Sequence, residues 1–278
     1  MKNRIKRRKL SRLFIISSLT VSLIALPFNG IMAAAEPGTA ALKLRIMETT
    51  DIHTNILSYD YYKDAPSDTV GLAKTAQLVK TARQEAKNTF LVDNGDLIQG
   101  TPLGTYKALV APLKAGEVHT VYKAMNLMGY DAATLGNHEF NYGLDYLDEA
   151  VKGANFPYVN ANVYMDDKDG NPDNDVNRFD PYEIVTKTLV DESGQEQTLK
   201  IGVIGFVPPQ ITQWDKSWLE GHVAARDIVA TAEKFIPKMR AEGADLIIAL
   251  AHTGFNGSAK AYADAEDAVL PLSKVAGI

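Results

Sequence analysis

Apolar positions along the chain alternate between short runs and longer amphipathic stretches, the pattern of an α/β domain in which buried strands are separated by surface helices. Residues 42–50 read as a first strand. Leu72, Ala76, Val79, Ala82 and Ala86 recur at spacings of three and four, which predicts a helix over about 71–86. Residues 90–92 read as a buried strand. Val121, Met125 and Met128 mark one face of the next helix, and residues 132–135 are short and apolar. Leu144, Leu147 and Val151 predict a further helix, and 158–163 a further strand. Residues 184–190 and 198–206 flank the polar segment 191–197, which predicts a β-hairpin. A helix is expected over 224–240, with Ile228, Ala232, Phe235 and Met239 on one face and Pro237 kinking or breaking it. Residues 246–250 form a last buried strand, and helix-like sequence follows to Ile278.

Residues 165–180 shift to Asp, Asn, Gly and Pro and read as a surface loop. Asp167, Asp169 and Asn171 alternate as they would in a calcium loop. However, Pro172 stands where such a loop needs glycine and no Glu follows at the twelfth position, so a solvated acidic turn is expected.

The first 35 residues have the layout of an export signal, with 7 basic residues between Lys2 and Arg12, an apolar stretch over 13–28, and small residues at Ala33, Ala34 and Ala35. The apolar stretch is shorter than the roughly twenty residues a spanning helix needs, so a cleaved signal peptide over 1–35 is expected. One domain would follow over 36–278, extracytoplasmic and without membrane attachment. The chain has no cysteine, which excludes a disulfide framework, a thiolate zinc site and a lipidated cysteine. Without residues 1–35 it carries 22 basic against 34 acidic residues, a net charge of −12. That balance argues against a nucleic-acid polymer as partner. A phosphate ester bound to such a chain needs local cations, and bound metal supplies them.

Four apolar runs end in groups able to bind metal. They lead to Asp51-Ile52-His53, to Asp93-Asn94-Gly95-Asp96, to Gly136-Asn137-His138-Glu139, and to His252. In α/β sheets, ligands bind beyond the carboxyl ends of strands, so these segments are expected to converge on one site. Asp51 and His53, two apart on extended chain, would face the same side. Carboxylate, imidazole and amide oxygen together suit manganese, iron, cobalt or zinc better than calcium. Gly95 and Gly136 are expected where a tight turn needs positive φ. Asp-x-His and Gly-Asp are each ordinary alone. Their succession in this order, each after a buried strand, carries the inference. Glu139 and Asn94 are expected to orient the ligands, and His119 and His222, outside all four motifs, to be non-catalytic.

With these motifs the sequence resembles the calcineurin-like metallophosphoesterase superfamily, over essentially all of residues 42–278. Within it, Thr50-Asp51-Ile52-His53-Thr54-Asn55, Tyr59-Asp60-Tyr61-Tyr62, Asp93 to Gly100, Gly136 to Gly143 and Val207-Pro208-Pro209-Gln210 resemble the bacterial 2',3'-cyclic-nucleotide 2'-phosphodiesterase/3'-nucleotidase group of the 5'-nucleotidase family. The resemblance implies a four-layer α/β/β/α sandwich with mixed sheets. It also implies two divalent metal ions, of which Asp51 and His53 would hold the first, Asp96 both, and Asn137 with His252 the second. His138 would act on the transition state without binding metal, in the same catalytic motif as Asn137. The implied substrates are 2',3'-cyclic nucleotides and 3'-nucleotides, hydrolysed outside the cytoplasm in nucleotide and phosphate salvage. A 5'-nucleotidase or UDP-sugar hydrolase is the alternative enzyme, and a non-catalytic fragment or surface binding protein on the same scaffold the alternative of another class. The family's pattern continues to a Gly-His-x-His with two more ligands and to a base-binding domain. The sequence reaches Ile278 before either, so the fold is expected to be incomplete at its C-terminus, with an exposed sheet edge, weak metal binding and little activity.

Overall fold

The computed structural model describes residues 40–256 and 265–278. The signal peptide expected over 1–35 lies outside the described residues, and no helix among those described is long and apolar enough to cross a membrane. Strand β1 (Arg45–Thr49) precedes a small ribbon of β2 (Tyr59–Asp60) and β3 (Ala65–Pro66), then α1 (Leu72–Glu85) and β4 (Thr89–Asp93). Helix α2 (Pro102–Thr105) runs into a π-helical turn at Tyr106–Val110. Next come α3 (Thr120–Met128), β5 (Ala132–Thr134), a 3-10 turn at Asn137–Phe140, α4 (Leu144–Val151), β6 (Tyr158–Val159) and β7 (Val163–Met165). The hairpin β8 (Tyr182–Val190) and β9 (Glu196–Phe206) leads to the single-turn helices α5 (Ile211–Trp214) and α6 (Lys216–Leu219). Then follow β10 (Val223–Ala225), α7 (Ile228–Ala241), β11 (Leu246–Ala251) and α8 (Val269–Leu272).

Strands β1, β4, β5 and β6 pair in that order, all parallel. The second sheet has the order β11-β9-β8 and is mixed, with β9 parallel to β11 and antiparallel to β8. Alternation along β4 explains how the layers stack, because successive side chains leave a strand on opposite faces. Phe90 and Val92 meet Ile201, Val203 and Leu250 of the second sheet, forming a core between the sheets. Leu91 points the other way, into a cluster with Leu72 of α1, Val121 and Met125 of α3, and Leu147 of α4. On the far face of the second sheet, Ile204 and Phe206 pack against Ile228, Phe235 and Met239 of α7 and Leu272 of α8. The result is the expected α/β/β/α arrangement. Strands covered on both faces are apolar at every position, which is why 90–92 shows no alternation.

Two expected elements differ. The strand over 158–163 is divided into β6 and β7 by two buried asparagines. Asn160 Oδ1 accepts from Val163 N at 3.1 Å, and the Asn162 carboxamide takes both backbone groups of Val207, at 2.7 and 3.0 Å. These side-chain bonds replace the sheet ladder locally. The helix expected over 224–240 starts only at Ile228, where Asp227 caps it by accepting from Ala230 N at 2.7 Å. Val223–Ala225 instead pairs with β7. Pro237 lies inside α7, which continues past it to Ala241.

Where β9 crosses β5 and β6 the two sheets come into close contact. Ala161 N donates to the Gly205 carbonyl at 2.8 Å, and a Cβ on Gly205 would lie 2.1 Å from Thr134 Oγ1 and 2.4 Å from the Val159 carbonyl oxygen. Gly205→Ala is therefore expected to destabilise the fold by about 1–3 kcal/mol, the usual cost of overpacking. A lower midpoint in thermal unfolding checks this, and an unchanged midpoint would show that the sheets can separate freely here.

Candidate metal centre

Each motif begins where a strand of the core ends, and the backbone then turns sharply. Beyond β1, the N–H groups of Asp51, His53 and Thr54 donate to the carbonyls of Gly95, Asp96 and Leu97, which lie beyond β4. This pairing continues through Asp51, His53, Thr54 and Asp96, whose φ values are +52°, +48°, +54° and +61°. Four non-glycine residues in the left-handed region within two adjacent loops is a concentration of strain of the kind found at functional sites. Gly95 has the expected positive φ, +96°. Gly136 does not, and its requirement is space: a Cβ there would lie 2.2 Å from Asp96 Oδ1, and one on Gly95 would lie 2.2 Å from Gly136 N. The two loops thus touch backbone to backbone.

Glu139 ties them together. Fully buried, it accepts from Asp96 N (2.7 Å), Leu97 N (2.5 Å) and Gly136 N (2.6 Å). Burial, aided by the Asp96 charge, raises its pKa, while these backbone donors pull the other way. Asn94 supports the site from the other side through its backbone carbonyl, which accepts from His252 Nδ1 at 2.7 Å.

The five expected ligands form a continuous series of polar atoms. Asp51 Oδ1 lies 3.7 Å from His53 Nε2, which lies 3.8 Å from Asp96 Oδ2. Asp96 Oδ2 in turn lies 3.3 Å from His252 Nε2, and that nitrogen is 3.1 Å from Asn137 Oδ1. Asp96 occupies the middle, with its other oxygen accepting from His138 N at 2.8 Å. Asp51, Asp96 and His252 present ligand atoms that all lie within 4.8 Å of one another. A cavity of about 330 Å³ lined by Asp51, Asn137, Trp214 and His252 opens onto the group. A larger hollow of about 510 Å³ lies at the opposite ends of β1 and β4, beside Arg45, Asn88 and Glu192, away from these donors.

The donor set fits divalent metal. His53 Nδ1 donates to the Gln99 carbonyl at 2.7 Å, as His252 Nδ1 does to that of Asn94, so whenever either ring is neutral its hydrogen sits on Nδ1 and Nε2 is left to bind a cation. The site also attracts positive charge. Burial lowers the pKa of His252, but its hydrogen bond to Asp96 and that carboxylate's charge more than offset this and hold it at about 9.

His138 lies beside the series, its ring 5.3 Å from that of His53. Its Nδ1 donates to Asn141 Oδ1 at 2.6 Å, and Asn141 Nδ2 donates to both oxygens of Asp215, at 2.9 and 3.1 Å. The Asn141–Asp215 contact was not legible in the motif spacing, since Asp215 lies 74 residues from Asn141 in a segment without periodicity. His119 is buried at the start of α3, accepts from Val121 N at 3.2 Å and is lowered to about 4, chiefly by burial. His222 lines a separate hollow with Arg178 and Trp218. In the 165–180 loop, Asp167 and Asp169 are exposed, and the Arg226 guanidinium pairs with Asp175.

A pKa raised from 6.5 to about 9 means that the metal-free folded chain holds a proton on His252 that the unfolded chain releases earlier. The stabilisation is complete below about pH 6.5 and is lost as pH rises through about 9. Urea unfolding in chelator is expected to show lower stability at about pH 10 than at about pH 6, with much of the difference removed in His252→Asn. An unchanged pH dependence in that variant would contradict the His252–Asp96 pairing.

Residues 44–278 match the calcineurin-like phosphoesterase family. A 2',3'-cyclic-nucleotide 2'-phosphodiesterase/3'-nucleotidase of Salmonella typhimurium is 52% identical over 247 residues, covering 89% of this chain and 37% of that protein. The trifunctional nucleotide phosphoesterase protein YfkN of Bacillus subtilis is 52% identical over 249 residues, 88% of this chain and 16% of its own length. The crystal structure of calcineurin-like phosphoesterase YfkN from Bacillus subtilis superposes with a TM-score of 0.78 at 53% identity, covering 84% of this chain and 68% of that one. A snake venom 5'-nucleotidase of Gloydius brevicauda is more distant, at 32% identity over 227 residues. The chain thus spans well under half the length of these curated relatives. From its four converging strand-end motifs, its layered mixed sheets and this match over most of its length, the chain belongs to the calcineurin-like phosphoesterase family.

Proposed function

We propose that the protein is a metal-dependent hydrolase of nucleotide phosphate esters, a 2',3'-cyclic-nucleotide 2'-phosphodiesterase and 3'-nucleotidase acting outside the cytoplasm. The observation that carries this is the unbroken series Asp51, His53, Asp96, His252 and Asn137, in a chain about half identical to enzymes of that name. Extracytoplasmic action rests on the signal-like layout of residues 1–35.

In this reading Asp51 and His53 would hold one divalent ion, Asn137 and His252 a second, and Asp96 would serve both. Manganese, zinc, iron or cobalt suits the mixed donors. When bound, such ions supply Lewis acidity toward the phosphoryl oxygens and lower the pKa of water to within reach of neutral solution. The protein's part is preorganisation. Backbone carbonyls hold the Nδ1 hydrogens of His53 and His252, so neither ring needs to change tautomer to present Nε2. Glu139 fixes the loop carrying Asp96 against that carrying Asn137. His138, whose Nδ1 is occupied by Asn141, keeps Nε2 for substrate, where in its protonated form it donates to the departing sugar oxygen. Small nucleotides fit a site of this charge better than polymers, whose many phosphates would meet the surrounding acidic surface.

His138→Ala is expected to leave bound metal largely intact while lowering turnover by about 10²–10⁴-fold, the usual worth of positioned proton transfer. Metal analysis alongside phosphate release checks this, and parallel loss of metal and activity would reassign His138 as a ligand. Relatives named 5'-nucleotidases give the competing substrate. Phosphate release from 3'-AMP is expected to exceed that from 5'-AMP, and the reverse order would favour the 5'-nucleotidase reading.

A further inference from the structure

Asp215 is an unusual carboxylate. It is 7% exposed, and no ion pair to it occurs among the described residues. Both of its oxygens receive one amide group, Asn141 Nδ2. It occupies the N-cap position of α6, where aspartate ordinarily accepts from the backbone of the first turn, yet its side chain makes no such bond. A buried carboxylate without an ion-pair partner costs stability, so its one hydrogen-bonding contact bears on what it does.

The use follows from the chemistry of the amide it binds. An asparagine side chain can present either its oxygen or its NH₂ group to a neighbour, whereas a carboxylate only accepts. Asp215 therefore takes the NH₂ end and turns Asn141 Oδ1 toward His138, 2.6 Å from Nδ1. An oxygen at that distance requires hydrogen on Nδ1, which leaves Nε2 as the nitrogen available to a bound molecule. Replace the obligate acceptor at 215 by an amide, which can present either end, and Asn141 is no longer held in one orientation. In the flipped orientation it offers NH₂ to Nδ1 and favours the opposite tautomer, so the tautomer is no longer single.

We propose that Asp215 is a positioning residue for His138, acting through the Asn141 amide to fix which ring nitrogen carries hydrogen and which faces substrate. The proposal rests on the reading of His138 as a catalytic group. Its reach across 74 residues joins the turn between α5 and α6 to the motif after β5.

The direct test does not need activity. Ring nitrogen and carbon NMR shifts of metal-free protein should show neutral His138 as the Nδ1–H tautomer, shifting toward Nε2–H or a mixture in Asp215→Asn. An unchanged tautomer overturns the proposal. In the manganese-loaded full-length protein, Asp215→Asn should lower kcat toward 3'-AMP by about 10–100-fold with little change in KM, the usual scale for such supporting contacts. The loss should be much smaller with p-nitrophenyl phosphate, whose leaving group needs little protonation. In a His138→Ala background the same substitution should cost nothing further, and an additive loss also overturns the proposal. If His138→Ala itself leaves turnover unchanged, the catalytic reading fails while the tautomer result still decides the role of Asp215. Should Asp215→Asn fold poorly, the double variant Asn141→Asp, Asp215→Asn decides the matter. A carboxylate at 141 accepts through either oxygen and needs no orienting partner, so the wild-type tautomer should return, and its failure to return counts against the proposal.

Discussion

The arrangement depends on one buried contact, the Glu139 carboxylate gripping the backbone N–H groups of Asp96, Leu97 and Gly136. Strand ends do not by themselves place side chains to a fraction of an ångström, because loops beyond a sheet have no ladder to hold them. Here a charged acceptor in a medium of low polarity replaces that ladder, and charge-assisted hydrogen bonds of this sort are about twice as strong as neutral ones. Gly136 lets the two loops close to backbone contact, and the left-handed turns at Asp51, His53 and Asp96 aim the side chains inward. Strain in those turns persists because the surrounding core over-determines them.

The electrostatics of the site follow from the same closeness. Asp96 is nearly excluded from water and faces two imidazoles, so the metal-free pocket retains a proton on His252, and a bound ion would displace that proton. A net acidic chain thereby keeps a local demand for cations at the one place where the proposed chemistry needs them.

Much of this was legible in the sequence because burial on both faces leaves a distinctive trace. The short apolar runs at 90–92 in β4 and 132–133 in β5 made the polar motifs beyond them conspicuous, and helices α1, α3 and α7 declared their buried faces through Leu72, Val79, Val121, Met125, Ile228 and Phe235. What escaped reading is what depends on side chains bonding backbone at a distance. Asn160 and Asn162 break a strand by taking the ladder's hydrogen bonds for themselves, which composition does not distinguish from ordinary polar residues. Asp215 stands in single-turn helices too short for periodicity, and its partner Asn141 is meaningful only once the two are in contact. Gly136 was expected to serve a turn and instead serves a close approach, a difference that only the third dimension contains.

The order of the donors along the chain has a consequence for biogenesis. Asp51 and His53 come early, whereas His252 follows β11, which rests on β9 in the second sheet. On a ribosome, or in an export channel, the early motifs emerge long before that histidine is made. These five proposed donors therefore cannot together serve as a nucleus for folding. They come together only after both sheets have stacked, so on the proposed reading capture of an ion would be a late event that reports a stacked core.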